Sequence, residues 1–133
     1  MKNCIITGSN GYLGSLLVKK FKDLDWNVYE FSSSKKENQV EFKLSEVNLI
    51  NEKYFENCNL LIHTSYDFST NSNLKNNPNI DGSIKLFEKA HNMGVEKIIN
   101  ISTISSFKNS KSFYGKTKYE IEEKSKKFNE INL

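Results

Sequence analysis

With 133 residues, 37% of them hydrophobic and 26% charged, the chain has the size and composition of one globular domain. It is long enough to bury roughly two thirds of its unfolded surface without staples. Two cysteines, Cys4 and Cys58, make neither a disulfide framework nor a zinc site, so no metal is expected. No apolar run approaches the ~18 residues of a membrane span, and the N-terminus turns polar too soon for a signal peptide. A reduced, cytoplasmic setting away from membranes is therefore expected. The net charge is +3 and all 19 basic residues are lysine. Without arginine there is no bidentate clamp for phosphate or guanine, and the lysines are scattered among 16 acids, so nucleic acid is not an expected partner.

In chain order, short apolar runs alternate with amphipathic segments, the pattern of βαβ units. Cys4-Ile5-Ile6-Thr7 predicts a first strand, and Leu13, Leu16, Leu17, Phe21 and Leu24 then recur at helical spacing. Asn27 to Phe31 predicts a second strand and Val40 to Leu44 a third, followed by a brief helix from Ser45 through Phe55. Leu60-Leu61-Ile62-His63 reads as a fourth strand, apolar throughout because both faces would be covered. Asn71 to Asn79 is a polar loop. Beyond it, Ile80, Ile84, Phe87 and His91 line a helix face that Gly94 would end. Lys97 to Ile101 predicts a fifth strand, and Phe113 to about Asn129 a last helix, rich in Lys and Glu and read as a solvated face. The expected class is α/β, with a mostly parallel, doubly wound sheet.

Thr7-Gly8-Ser9-Asn10-Gly11-Tyr12-Leu13-Gly14 sets glycines three apart, directly between a strand and a helix. An ordinary αβ turn can carry such a string, but this context favours a dinucleotide pyrophosphate site. There the first glycine permits the tight turn, the second lets backbone approach the anion, and the third lets helix pack on strand. The helix N-terminus adds unpaired N–H groups and partial positive charge. The second strand runs Val28-Tyr29-Glu30-Phe31 into Ser32-Ser33-Ser34-Lys35-Lys36, with Glu30 inside the strand rather than at its tip. An acid at that tip would hydrogen-bond a ribose 2′-hydroxyl, whereas hydroxyls and ammonium groups suit a 2′-phosphate. The cofactor is thus NADP or NAD, with NADP favoured; the alternative for the tip is a solvated serine loop.

Tyr114-Gly115-Lys116-Thr117-Lys118 places a phenol and an ammonium four residues apart, on one helix face. A nearby ammonium lowers a phenol pKa from about 10 toward a useful acid/base range. Upstream, Asn100-Ile101-Ser102-Thr103 ends the fifth strand with hydroxyls at the edge where open α/β sheets bind ligands.

Together these residues resemble the N-terminal part of an extended short-chain dehydrogenase/reductase of the NAD-dependent epimerase/dehydratase type. The matching stretches are the glycine turn, Leu61-Ile62-His63, Asn79-x-x-Gly82-Ser83, Ile101-Ser102-Thr103 and Tyr114-Gly115-Lys116-Thr117-Lys118, in the family's order and over nearly the whole chain. Ser102-Thr103 followed by Phe107 is also similar to the sugar-nucleotide reductases that make deoxysugars such as dTDP-rhamnose. The resemblance implies a Rossmann-like fold, a nucleotide-sugar substrate and catalysis by Thr103, Tyr114 and Lys118. In these roles Thr103 would bond the reacting carbonyl, Tyr114 would be the acid/base, and Lys118 would hold the nicotinamide ribose. Gly8, Asn10, Gly11, Tyr12, Leu13, Gly14, Ser32, Ser33, Lys35, His63, Ser65, Asn79, Tyr114 and Lys118 would form the cofactor site. Asn79 is matched to a residue that supports the active site, with helix-cap duty as its alternative, and strand-end duty is the alternative for Thr103. His63, inside an apolar strand, reads more readily as a packed core residue than as a base.

The chain also departs from the family pattern. Lys43-Leu44-Ser45 stands where an acid near the adenine is usual, bulky Tyr66 follows Ser65 where two small residues are usual, and the stretch from Thr103 to Tyr114 is short. The sequence ends at Leu133, where a sixth strand is expected to begin, so the domain reads as a sheet of about five strands without the C-terminal substrate domain. The expected function is an NAD(P)-dependent epimerase, dehydratase or reductase acting on a nucleotide-sugar. The alternative is a non-catalytic dinucleotide-binding remnant or subunit. In the family the helix carrying Tyr and Lys packs on its twin, which implies a homodimer with Ile121 and Phe128 as apolar contacts.

Overall fold

The computed structural model describes residues 1–70, 73–128 and 131–133. Of the expected polar loop, Asn71 and Ser72 lie outside the described residues, as does Asn129 at the expected end of the last helix. The strands are β1 (Asn3–Thr7), β2 (Asn27–Ser32), β3 (Val40–Glu41), β4 (Leu60–His63), β5 (Lys97–Asn100) and β6 (Ile131–Asn132); the helices are α1 (Tyr12–Asp23), α2 (Pro78–Asn92) and α3 (Phe113–Ser125). All strand pairs are parallel, in the order β3-β2-β1-β4-β5-β6. Ile131 and Asn132, beyond the expected last helix, pair with β5 as a sixth strand.

Alternation along the strands sorts the side chains onto two faces. Ile5, Phe31, Leu61 and Ile98 point to the larger core, built with Leu86 and Phe87 of α2 and Ile121 of α3. Cys4, Ile6, Leu60 and Ile62 point the other way, against Val18, Leu17 and Phe21 of α1. Each fully buried Phe, Leu or Ile contributes roughly 1.5–3 kcal/mol, so the strands are held chiefly from the α2/α3 side. Cys4 and Cys58 are both buried, and burial pushes the Cys4 thiol up to about 12. Both behave as small apolar residues.

Several expectations need correction. The segment after β3 is not one helix from Ser45 to Phe55 but two 3₁₀ turns, Leu44–Leu49 and Glu52–Tyr54. Leu44, Val47 and the C-cap Ile50 are buried, and a spacing of three stacks side chains directly on one face of a 3₁₀ turn, whereas on an α-helix each such step drifts by about 60°. The third strand stops at Glu41, and α2 starts at Pro78, with the Asn77 side chain accepting from the Asn79 N–H. The last helix gives way to a 3₁₀ turn at Lys126–Phe128. Ile121 and Phe128 are buried in the chain's own core, so they do not offer the apolar contacts expected of a dimer surface.

Candidate functional site

The chain leaves β1 for β2 on one side and returns to β4 on the other, so the order of connection reverses beside β1. Such a switch point opens a crevice at the carboxyl ends of the strands. A cleft of about 890 Å³ lies there, lined by the glycine turn, the ends of β2 and β4, and Tyr114 and Lys118 of α3.

The glycine turn is shaped by close backbone approach. Gly8 has φ +68, a conformation that side chains disfavour, and a Cβ on it would sit 2.5 Å from Thr64 Oγ1. A Cβ on Gly14 would sit 2.0 Å from the Gly8 carbonyl oxygen, so only glycine lets α1 seat against the turn. Gly11 differs: a Cβ there meets only the Gly8 oxygen, at 3.2 Å, and the space beyond it is open to a ligand. No side chain caps α1, which leaves the N–H groups of its first turn for an anion. These features fit the pyrophosphate of a dinucleotide.

Asn10 ties this turn to the β2 tip. Its Nδ2 donates to Ser32 Oγ at 2.9 Å, Ser34 O at 2.8 Å and Gln39 Oε1 at 3.0 Å, while its Oδ1 accepts from Gln39 Nε2 at 2.7 Å. Glu30 stays out of the cleft, bonded to Lys22 and to Gln39. Although burial pushes its carboxyl up, the hydrogen bonds from Lys22 and Gln39 hold it below the usual range. Ser32, Ser33 and Ser34 line the cleft; Lys35 is exposed and does not, and the lysine that lines it at this end is Lys43.

Beneath the cleft a buried relay braces its wall. Thr7 Oγ1 accepts the N–H groups of Thr64 at 3.1 Å and Ser65 at 3.3 Å. Its own hydrogen is then left for His63 Nδ1 at 2.7 Å, which makes Nδ1 an acceptor and puts the imidazole proton on Nε2, donated to Ser83 Oγ at 2.8 Å. Burial, reinforced by the Lys118 charge, pushes the His63 pKa down to about 3. His63 is therefore a neutral brace behind Thr64 and Ser65, not the cofactor-contacting residue expected. Asn79 is likewise buried outside the cleft lining, bracing the next loop. Its Oδ1 accepts from the Asp67 N–H at 2.7 Å and its Nδ2 donates to Asp67 O at 2.9 Å.

At the α3 end, Tyr114 and Lys118 share one helix face as their spacing predicts. The Lys118 ammonium donates to the Ile101 carbonyl at 2.8 Å and lies 5.7 Å from the Tyr114 ring centroid. Burial pushes Lys118 down to about 8 against the opposing pull of Glu122. The expected depression of the Tyr114 phenol is absent: burial, with the neighbouring Tyr66, pushes it up from its ordinary value. Tyr114 is consequently a protonated phenol, a donor, at neutral pH. Thr103 is not part of the lining; its Oγ1 accepts the Ser105 N–H at 3.3 Å and serves the turn after β5. Ser102 instead reaches α3, donating to Glu122, so the Lys/Glu run is not wholly a solvated face.

Of the expected site residues, Gly8, Asn10, Gly11, Tyr12, Leu13, Gly14, Ser32, Ser33, Ser65, Tyr114 and Lys118 meet in one cleft, while Lys35, His63, Asn79 and Thr103 stand outside it. Sequence reasoning did not assign Phe42, Lys43, Tyr66, Asp67 or Phe68 to the site, yet all line it. Lys43 and Tyr66 stood out only as departures from the family pattern, and the other three carried no signal beyond lying near a strand end. Among the described residues no group of His, Cys, Asp or Glu could hold a metal ion, and no helix is long and apolar enough to cross a membrane.

Comparison with known proteins bears on this cleft. Among curated proteins none matches the chain. Among solved structures, the chain is similar to the enzyme WbmH of Bordetella bronchiseptica in complex with NAD⁺, at TM-score 0.83 and 16% identity over 100% of this chain and 55% of that one. It is similar to UDP-N-acetylglucosamine 4-epimerase from Bacillus cereus at 0.80 and 15%, over 100% and 55%. UDP-glucose 4-epimerase from Thermotoga maritima, with UDP-glucose, is similar at 0.77 and 25%, over 95% and 50%. The chain thus spans about half the length of these structures, and the shared architecture is the Rossmann-like α/β fold. The model of the NAD dependent epimerase/dehydratase family matches residues 4–131. On that match, and with its glycine turn and Tyr-x-x-x-Lys helix meeting in one cleft, the chain belongs to the NAD-dependent epimerase/dehydratase family.

Proposed function

We propose that the chain is the dinucleotide-binding part of an NAD(P)-dependent epimerase, dehydratase or reductase acting on a nucleotide-sugar. The observation that carries this is the joining, in one cleft, of an uncapped helix N-terminus over glycines with the Tyr114/Lys118 face of α3. Gly11 and the first turn of α1 would hold the pyrophosphate, Phe42 and Leu44 would flank the adenine side, and Lys118 would hold the nicotinamide ribose. When bound, the nicotinamide supplies the hydride acceptor or donor. The protonated Tyr114 phenol supplies a proton to a developing alkoxide and takes one back in the reverse direction.

NADP is the favoured form. Among the described residues that line the cleft, the β2 end offers Ser32, Ser33, Ser34 and Lys43 rather than a carboxylate, with Glu30 turned to Lys22 and Gln39; Lys43, now 3.6 Å from Glu41 Oε1 on the neighbouring strand, would exchange that exposed partner for a 2′-phosphate. A second reading, a dinucleotide-binding module without turnover, is favoured by Thr103 lying outside the cleft lining.

Calorimetric titration with NAD and NADP, oxidised and reduced, tests the proposal. Saturable binding that Gly11→Val abolishes and Tyr114→Phe preserves supports it; no binding by a cooperatively folded chain refutes it. Turnover of a nucleotide-sugar that falls by orders of magnitude in Tyr114→Phe separates the enzyme from the module.

A further inference from the structure

The two ends of the cleft are not equally open. Beside the glycine turn the space beyond Gly11 is clear, but at the α3 end three rings are packed on one another. Tyr66 meets Tyr114 edge-on with centroids 4.7 Å apart, and Phe68 lies 4.6 Å from Tyr66 and 5.6 Å from Tyr114. Behind them the Lys118 ammonium sits 5.5 Å from the Tyr66 centroid and 5.7 Å from that of Tyr114. It already donates to the Ile101 carbonyl, and Lys118 is only 2% exposed. Lys118 still borders the cleft, but with the Tyr66 ring against it and the Ile101 carbonyl taking one of its protons, little of the ammonium is open to a ribose hydroxyl. Tyr66 is only partly buried and belongs to a loop that follows β4, so its ring can leave without disturbing the sheet.

We propose that Tyr66 is the residue that decides how much of a dinucleotide this cleft engages. Its ring leaves the adenosine diphosphate end open and gates the nicotinamide end. The proposal rests on the dinucleotide reading above and deepens it. The adenosine diphosphate half binds at the glycine turn without disturbing the rings. The nicotinamide half reaches Lys118 only by displacing Tyr66 from Tyr114 and from the ammonium, and the lost ring and cation–π contacts offset what the new hydrogen bonds contribute. The chain should therefore gain little from the second half of the ligand.

Titration of the 133-residue chain with ADP against NAD, and with 2′-phospho-ADP against NADP, measures that gain directly. The expected result is that each dinucleotide binds within about threefold of its half. In Tyr66→Ala the dinucleotide should tighten by about tenfold or more, the worth of one hydrogen bond from a charged donor, while the half is unchanged. Tyr66→Phe, which keeps the ring, should behave as the wild type, and adding Lys118→Met to Tyr66→Ala should erase the gain. A wild-type chain that already binds the dinucleotide tenfold tighter than its half overturns the gate, as does a ratio unmoved by Tyr66→Ala. If Tyr66→Ala fails to fold, the wild-type ratio decides alone. Failure to bind ADP, 2′-phospho-ADP or either dinucleotide would remove the dinucleotide reading itself, and the gate with it.

Discussion

Gly14 offers a quantitative test of how α1 is seated. In Gly14→Ala the new Cβ would lie 2.0 Å from the Gly8 carbonyl oxygen and 2.7 Å from its carbon, against 3.4 Å for ordinary contact. Both obstacles are backbone, so α1 must retreat by about 1.4 Å. A gap of that order forfeits a quarter to a half or more of each dispersion well it opens. The helix packs Val18, Leu17 and Phe21 against Cys4, Ile6, Leu60 and Ile62, side chains whose burial is worth roughly 1.5–3 kcal/mol each. The loss is partly offset by up to ~1 kcal/mol of better helix propensity, leaving a destabilisation of about 1–3 kcal/mol. Urea unfolding followed by Trp26 fluorescence is the assay, since Trp26 packs edge-on against Phe21 of α1 at 5.0 Å. Gly11→Ala is the control: its Cβ is 3.2 Å from a single oxygen, so stability should change by less than ~1 kcal/mol. A Gly14→Ala chain within ~0.5 kcal/mol of wild type would refute the seating of α1 described above.

Other outcomes follow from the same geometry. His63 is about 3 when folded and about 6.5 when unfolded, so the unfolded chain takes up a proton that the folded chain refuses. Stability is thereby lost as pH falls from about 6.5 toward 3, by up to about 1.4 kcal/mol per unit. His63→Leu leaves the Thr7 and Ser83 hydroxyls without this partner and should cost about 1–3 kcal/mol at pH 7. Its deficit should narrow at pH 4.5 in urea titrations; a constant deficit would mean that His63 does not titrate in this way. Ser33→Asp puts a carboxylate at the β2 tip and should weaken NADP at least about tenfold relative to NAD, which paired calorimetric titrations would reveal. Ser102 and Glu122 should show a coupling of about 1 kcal/mol or more in a double-mutant cycle with alanine; purely additive losses would sever that link between β5 and α3.

Much was legible in the sequence because it is periodic or local. The strands β1, β2, β4 and β5 are short apolar runs bounded by polar residues, and the helical spacing of Ile80, Ile84 and Phe87 announces α2. The glycine turn needs only its neighbours to be recognised, and residues four apart on α3 share a face whatever surrounds them, so Tyr114 and Lys118 meet as expected. Where a helix's period is not the whole story, the sequence was a poorer guide: Leu44, Val47 and Ile50 pack at a spacing of three, and the segment turns as 3₁₀.

Tertiary structure alone decided what distant residues do to one another. His63 and Asn79 carry hydrogen-bonding groups that the sequence cannot aim. Only the juxtaposition of β1, β4 and α2 turns His63 to Thr7 and Ser83, and only the loop after β4 gives Asn79 the Asp67 backbone to hold. The sign of the Tyr114 shift was likewise out of reach, because it depends on burial and on Tyr66, a residue 48 positions away along the chain. Local spacing therefore determined which elements form and which residues share a helix face. Desolvation and hydrogen-bond partners exist only between elements packed together, so the fold decided which of those residues braces the cleft, which lines it, and which is covered.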